Sequence, residues 1–413
     1  MVSATGIAAE SLQQAWDMAI AVDLGLKASR QGTLAAASQL KAAQSARLPG
    51  VSLEAGYTVL DNEPTFKADL LGQSLQLPMA QETSAGCKAM TTLPLYTGGR
   101  IQNGIDASTA MLDAAKLNET GAVQRLKLQV ADAFVAVLRA GRILKVIDRQ
   151  VKSLEAHARD VQNLLKSGMV AQNDLLATQV ALADARQKAL QATNGLDLAS
   201  AAYNRLLDRP LDQPVLLDEA LPETVGEDLT GLTERALAQR SELAALDRQI
   251  AALRHQGDVV RGENLPQVAL SGGYLYQENR YQVYEDQWLV GVGVRWHLFD
   301  GGMVRHRAEA VTRQAAALAA KRDELASIVS LQVRQAWLDL HETHKRIEVT
   351  CSAIAQAEEN LRVAQDRYVH GLATHTEVLD AETLRAASAT NHANAVLDAV
   401  MAGLRLKHAT GQI

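Results

Sequence analysis

Leu95-Tyr96-Thr97-Gly98-Gly99-Arg100 recurs as Leu298-Phe299-Asp300-Gly301-Gly302-Met303, a shift of 203 residues (301 − 98). The same shift carries Val130, Ala133 and Phe134 onto Val333, Ala336 and Trp337. It also carries Gly168, Asp174, Leu175 and Leu176 onto Gly371, Glu377, Val378 and Leu379. A register kept without gaps over this span means two copies of one structural unit, and a repeat fixes the architecture before any local reading. In each copy an alternating stretch leads into the Gly-Gly pair and a long helical pattern leads out of it.

Upstream of the first Gly-Gly, residues 8 to about 45 read as a helix, with Ala15, Ala19, Val22, Leu26 and Ala35 on a 3.6-residue period up to Leu48-Pro49. The counterpart runs from about Leu229 to Arg261 and stops at Leu265-Pro266, here with an offset of 217 (266 − 49). After each Leu-Pro the period changes to two. Val51, Leu53, Ala55, Tyr57 and Val59 alternate with Ser52, Glu54, Gly56 and Thr58. Val268 to Tyr276 alternates more loosely. Trp288, Val290, Val292, Val294, Trp296 and Leu298 form one face of the clearest strand, and Ser84 to Leu93 forms the weakest. Strands about 10 residues long with one apolar face match a tilted membrane-spanning strand. An ordinary half-buried antiparallel pair gives the same pattern, and the strands alone favour that simpler reading. The offsets differ by 14 (217 − 203), which places the extra residues in the first hairpin as an extended loop from Asp61-Asn62-Glu63-Pro64 onward.

Downstream, Gly99 to about Leu165 and Gly302 to about Tyr368 contain no proline. Helices of that extent would be roughly 100 Å long at about 1.5 Å per residue. Both carry heptads in one register: Val130, Val137, Leu144, Val151, Ala158 and Leu165 against Val333, Leu340, Ile347, Ile354, Leu361 and Tyr368. A second seam runs Ala133, Ala140, Ile147, Leu154 and Val161 against Ala336, Thr343, Thr350, Ala357 and Ala364. Sustained heptads predict coiled-coil packing. Each long helix meets a glycine, Gly168 or Gly371, suited to a left-handed helix end, and a return helix follows, from about Asn173 to Leu207 and from about Thr376 to Lys407. The expected domain organisation is thus a first repeat over 1–209, with a β-hairpin at about 48–94 and a tip turn at about 166–173. A linker follows at 210–228, containing Pro210, Pro214 and Pro222. The second repeat spans 229–413, with a hairpin at about 265–298 and a turn at about 369–376.

Composition narrows the function. Of 413 residues 47% are hydrophobic but only 4% aromatic, which suits helix against helix rather than one thick globular core. A net charge of −6 with no compact basic cluster argues against nucleic acid as a partner. Two cysteines in unlike settings, Cys87 and Cys351, suggest neither a disulfide framework nor a metal site. No run of 18 apolar residues offers a transmembrane helix. Met1 to Gly6 shows no basic or apolar signal region; the expectation is that an export signal is not present in this chain. Four strands cannot close a barrel, and open sheet edges are not tolerated in a bilayer. Three chains would supply twelve strands, an even number within the range of membrane barrels, with the long helices packed into a tube.

The Leu-Pro-x-Val-x-Leu motifs at Leu48 to Leu53 and Leu265 to Leu270, the two Gly-Gly corners, and the turns Gly168 to Leu176 and Gly371 to Asp380 together resemble the TolC-type outer-membrane efflux and secretion channels. The resemblance covers almost the whole chain. It implies a mainly α fold with a membrane β-barrel portion, internally duplicated, in which four strands per chain give a 12-stranded barrel in a homotrimer. Long coiled-coil helices would form a helical tunnel. It implies location in the bacterial outer membrane, in contact with outer-membrane lipid and extending into the periplasm. The partners implied are a periplasmic adaptor (membrane fusion) protein and an inner-membrane pump. It implies a duct for a tripartite efflux pump or type I secretion system, with no catalysis and no cofactor.

The resemblance also assigns residues. Glu377 and Asp380, on one helix face, resemble the acidic positions of a periplasmic constriction, where carboxylate rings favour cations; a solvated acidic helix start would look the same. Asp174 and Tyr368 resemble positions whose polar links hold the tip closed. Ala373 stands where the family often has arginine, so fewer links are expected here. Gly168, Met169 and Val170, with Gly371 and Leu372, resemble the turns that meet the adaptor. His341 with His344, and His370 with His375, lack a third ligand and make weak metal sites. The competing expectations are a soluble coiled-coil scaffold or adaptor protein, which leaves the four strands unexplained, and an enzyme using the Glu377–Asp380 pair, which lacks any pocket pattern.

Overall fold

A computed structural model describes residues 9–70, 72–219 and 228–413. Met1 to Gly6, read above for an export signal, and Pro222 of the expected linker lie outside the described residues. The elements run α1 (Leu12–Val22), α2 (Leu24–Ser45), β1 (Gly50–Val59), β2 (Thr65–Leu70), β3 (Gln73–Pro78), β4 (Thr83–Tyr96), α3 (Arg100–Lys166) and α4 (Gln172–Leu206). They continue as α5 (Leu229–Gln239), α6 (Ser241–Arg261), β5 (Gln267–Gln277), β6 (Asp286–Arg295), α7 (Met303–Val369) and α8 (His375–Ala409). The fold is mainly α, and among the described residues no helix is long and apolar enough to cross a membrane.

The chain forms two compact units. One comprises Gly32–Lys116 and Ala245–Arg322 and contains the sheet. Its four antiparallel strands lie in the order β1-β4-β5-β6. Register decides which side chains share a face. Val51 opposes Thr91, Leu53 opposes Ala89, Cys87 opposes Tyr276 and Tyr274 opposes Trp288, so one face is apolar across all four strands. Glu54 opposes Lys88 and Gln267 opposes Arg295 on the other face. The apolar face is open in the single chain: Val51 is 79%, Val290 82% and Trp288 81% exposed. Aromatic residues mark both of its ends, with Tyr57, Tyr274 and Trp288 toward the hairpin loops and Tyr96 and Trp296 toward the helices.

Each corner from strand to long helix is made by two consecutive left-handed glycines. Their φ values are 61° and 79° at Gly98 and Gly99, and 67° and 85° at Gly301 and Gly302. Side chains with a Cβ resist this conformation, which explains why the Gly-Gly pair is the sharpest part of the repeat. Asp300 strengthens the second corner. Its carboxylate accepts from the Gly302 and Val304 amides at 2.8 and 2.7 Å, and these bonds hold its pKa below the usual carboxylate range.

Three sequence expectations change here. The helix expected over 8–45 is two helices, because Asp23 is extended (ψ 124°) and its carboxylate caps the Leu26 amide at 2.6 Å. The helix expected from Leu229 to Arg261 breaks at Arg240, also extended (ψ 117°); 240 − 23 restores the offset of 217. The loop expected after Asp61 contains the hairpin β2–β3, in which Phe66 opposes Leu77 and Ala68 opposes Leu75. Glu63 anchors this hairpin by accepting from Arg280 and the Tyr281 hydroxyl at 2.6 and 2.7 Å.

The second unit comprises Met1–Gln31, Leu117–Ala244 and Asp323–Ile413. Its cores are helix–helix seams. Phe134 and Tyr203, both fully buried, meet edge to face with centroids 6.0 Å apart. Val329, Val333 and Leu340 of α7 pack with Leu232, Leu243 and Leu406. Every seam position named from the heptads is buried or half-buried. Within the expected linker, Leu217 is buried and residues 216–218 pair with Glu10 as an isolated parallel bridge.

Candidate functional site

The site lies where α3 turns into α4 and α7 turns into α8. The two turns close in the same way. The Met169 amide donates to Leu164 O (2.9 Å) and the Gly168 amide to Leu165 O (3.0 Å). The Leu372 amide donates to Arg367 O (2.8 Å) and the Gly371 amide to Tyr368 O (3.0 Å). This is the Schellman closure, with φ of 72° at Gly168 and 70° at Gly371. A Cβ on either glycine would meet nothing within 4 Å, so the need for glycine is conformational rather than steric. The residues that follow each glycine face outward: Met169 is 63% and Leu372 68% exposed. Val170 instead packs against the small core of Val161, Leu361, Ala364, Tyr368, Val378 and Ala381.

The return helices start differently. Ala171 caps α4 without a side-chain bond, whereas Thr374 caps α8 in a full capping box. Glu377 supplies the reciprocal half, its Oε1 accepting from the Thr374 amide at 3.2 Å and hydroxyl at 3.0 Å. These bonds, with help from Arg367, hold its pKa below the usual carboxylate range. Glu377 therefore stays ionised near neutrality while also fixing its helix end. Asp380, one turn on, is exposed.

Tyr368 and Asp174 meet across the two turns: the Tyr368 hydroxyl donates to Asp174 Oδ2 at 3.2 Å. Burial, reinforced by the Asp174 charge, pushes the phenol up to about 12. Beneath this bond lies a buried polar cluster that the sequence reading passed over. His157 of α3 and His375 of α8 are 6% and 7% exposed, and Thr178 of α4 is fully buried. Their rings and hydroxyl are linked: His157 Nε2 to His375 Nδ1 at 3.4 Å, and His375 Nε2 to Thr178 Oγ1 at 3.3 Å. The Tyr368 ring contacts both imidazoles, at centroid distances of 5.6 and 5.7 Å. His157 was hard to find because it flanks the Leu154–Val161 seam, where polar residues are commonplace. His375 was visible beside the turn but was weighed only as a metal ligand. Among the described residues no group of three His, Cys, Asp or Glu could hold a metal ion. His341 bonds Trp337 O and His370, just past the end of α7, bonds Asp366 O, each four residues back along the chain.

With this geometry in place, comparison with known proteins is informative. The outer membrane efflux protein family profile matches residues 16–208 and 232–412. The chain is 24% identical over 423 residues to "Outer membrane protein TolC" of Vibrio cholerae, covering 98% of this chain and 91% of that protein. It is 27% identical over 198 residues to "Outer membrane efflux protein BepC" of Brucella suis, covering 45% of this chain and 40% of that one. Among solved structures, the outer-membrane channel OprN superposes with a TM-score of 0.82 at 19% identity, covering 97% of this chain and 90% of OprN. VceC of Vibrio cholerae gives 0.81 at 19% identity, covering 97% and 96%. At these identities the structures establish a shared fold.

Proposed function

This chain belongs to the outer membrane efflux protein family, and from that premise we propose that three copies assemble into the exit duct of a tripartite efflux pump or type I secretion system. It is a transport conduit and not an enzyme. In the proposed assembly each chain contributes two structural repeats, over 1–209 and 229–413, joined by 210–228. The three sheets close a 12-stranded barrel in the outer membrane, and the helices form a periplasmic tunnel.

One observation carries this reading. Among the described residues the sheet β1-β4-β5-β6 leaves β1 and β6 without partners on their outer edges, and its exposed apolar face is bracketed by aromatic residues. A bilayer accepts such a sheet only when its edges are paired, and copies of the same sheet are the simplest partners. The test is the mass of the detergent-extracted protein by light scattering. The expected result is about three times the chain mass of 44.4 kDa, with precipitation on detergent removal. A monomer that stays soluble without detergent would overturn the proposal.

At the turns, we assign the closing link to Tyr368 and Asp174, the constriction to rings of Glu377 and Asp380, and the adaptor contact to the glycine turns with Met169, Val170 and Leu372. Support for the link is its bond across two turns; support for docking is the exposure of Met169 and Leu372. With Ala373 unable to add a further tie, Asp174→Ala and Tyr368→Phe should each raise single-channel conductance in planar bilayers at pH 7.5, several-fold over a nearly shut wild type. If both variants are as tightly shut as wild type, the closing-link assignment is removed.

A further inference from the structure

The proton positions in the buried cluster are fixed by its own hydrogen bonds. Thr178 Oγ1 lies 2.7 Å from Asp174 O, and a carbonyl only accepts, so the hydroxyl's single proton goes there. The Thr178 oxygen then accepts from His375 Nε2. A neutral imidazole carrying its proton on Nε2 has a bare Nδ1, which accepts from His157 Nε2. The two ring planes differ by only 6°. Every site along this chain is thus filled when both histidines are neutral. A single extra proton leaves an uncompensated charge on a buried ring, and with both rings charged the His375 Nδ1–H faces the His157 Nε2–H. Two buried donors would then oppose each other.

We propose that His157 and His375 are positioning residues for closure of the tip: neutral, they hold α3, α4 and α8 so that Asp174 meets Tyr368, and protonated they release that contact and open the channel in acid. The proposal rests on the reading of Tyr368–Asp174 as a closing link.

Charged and titratable groups face the pair from each helix. Asp160 on α3 favours a charged His157, and Asp174 on α4 favours a charged His375. Tyr368 on α7 remains neutral. Glu382 on α8 is buried but already held by Ser153 and Arg385, at 2.9 and 2.6 Å. Burial outweighs the carboxylates: His157 is pushed down to about 4, first by desolvation and then by His375, and His375 is lowered first by desolvation. A lowered value marks the neutral form as the one this arrangement favours. Rings released to water would titrate near about 6.5. Closure is therefore complete above about pH 6.5 and weakens as pH falls toward about 4. The cluster is built once per chain, since the shift of 203 places Asn360, Leu165, Gln172 and Ala381 where His157, Tyr368, His375 and Thr178 would recur.

The experiment is the conductance of the purified channel in planar bilayers at pH 7.5 and 5.5. Wild type should rise about tenfold for each proton taken up on opening. A His157→Gln, His375→Gln channel, which keeps polar side chains but cannot titrate, should show no pH-dependent rise. Asp174→Ala should conduct at both pH values. If Asp174→Ala conducts but wild type stays shut in acid, or the glutamine channel keeps the acid response, the closing link stands and the histidine proposal falls. If Asp174→Ala and Tyr368→Phe are both as shut as wild type at pH 7.5, the link itself falls and takes the proposal with it. Should the double variant not assemble, His157→Gln alone should lose about tenfold of the acid rise for each proton it no longer takes up, and a rise equal to wild type's overturns the histidine proposal.

Discussion

Gly98→Val will yield no recoverable folded protein. At φ 61° a Cβ on residue 98 would lie 2.6 Å from Leu265 Cβ and 2.8 Å from Gly262 O. The neighbour cannot yield, because a Cβ on Gly262 would itself lie 2.7 Å from Gly98 O: two backbones abut here. Left-handed strain costs about 1–2 kcal/mol, and overpacking adds about 1–3 kcal/mol or more. Both apply in every copy, against a domain stability of about 5–15 kcal/mol. The second corner provides a graded comparison. Gly301 has φ 67° but nothing within 4 Å of a Cβ, so Gly301→Ala should lose only about 1–2 kcal/mol. Gly104→Ala, in the interior of α3 with open space around it, should be neutral or stabilising by about 0.5–1 kcal/mol. The yield of folded protein in membrane fractions, read on gels, ranks the three. Wild-type yield of Gly98→Val would refute the steric argument.

The second large effect is functional. On the proposed docking role, Met169→Asp and Leu372→Asp should each abolish export while the yield of folded protein stays normal. Neither side chain belongs to the buried tip core, and both are more than half exposed, so a carboxylate there creates no buried charge within the protomer. In an apolar contact with an adaptor it would be desolvated without a counter-ion, a cost of several kcal/mol per copy. Cellular accumulation of a panel of candidate substrates, with cross-linking to the proposed adaptor, measures the outcome. Normal export from both variants would remove these turns from the docking surface.

The parts legible in the sequence are those where one residue type answers one physical demand. Left-handed backbone demands glycine, so Gly98, Gly99, Gly301 and Gly302 and the turns at Gly168 and Gly371 could be read directly. Period-two apolarity likewise identified which side chains share the outer face of the sheet. The breaks at Asp23 and Arg240 could not be read, because neither glycine nor proline marks them. Asp23 breaks its helix through a cap to Leu26, and Arg240 is 6% exposed, its guanidinium meeting Glu242 and the last carbonyls of α8. The hairpin β2–β3 carries no clear signal because each strand is six residues long, Pro64 precedes β2 and Pro78 ends β3. At the tip, Tyr368 and Asp174 were placed by resemblance, while His157 and Thr178 lie among polar helix positions that carry no local signature. Their significance arises only when four helices bring them together.

The order β1-β4-β5-β6 also constrains how the protein is made. Strand β4 finds its partner β5 only across a separation such as Gly86 to Gln277, 191 residues (277 − 86). During synthesis the first hairpin therefore exists for a long interval with both edges unsatisfied, until the chain has reached residue 267. Pairings this distant along the chain form slowly, and exposed strand edges recruit wrong partners while they wait. Assembly of this sheet is therefore expected to be slow and open to mispairing at β1 and β4 until residues 267–277 are available to pair.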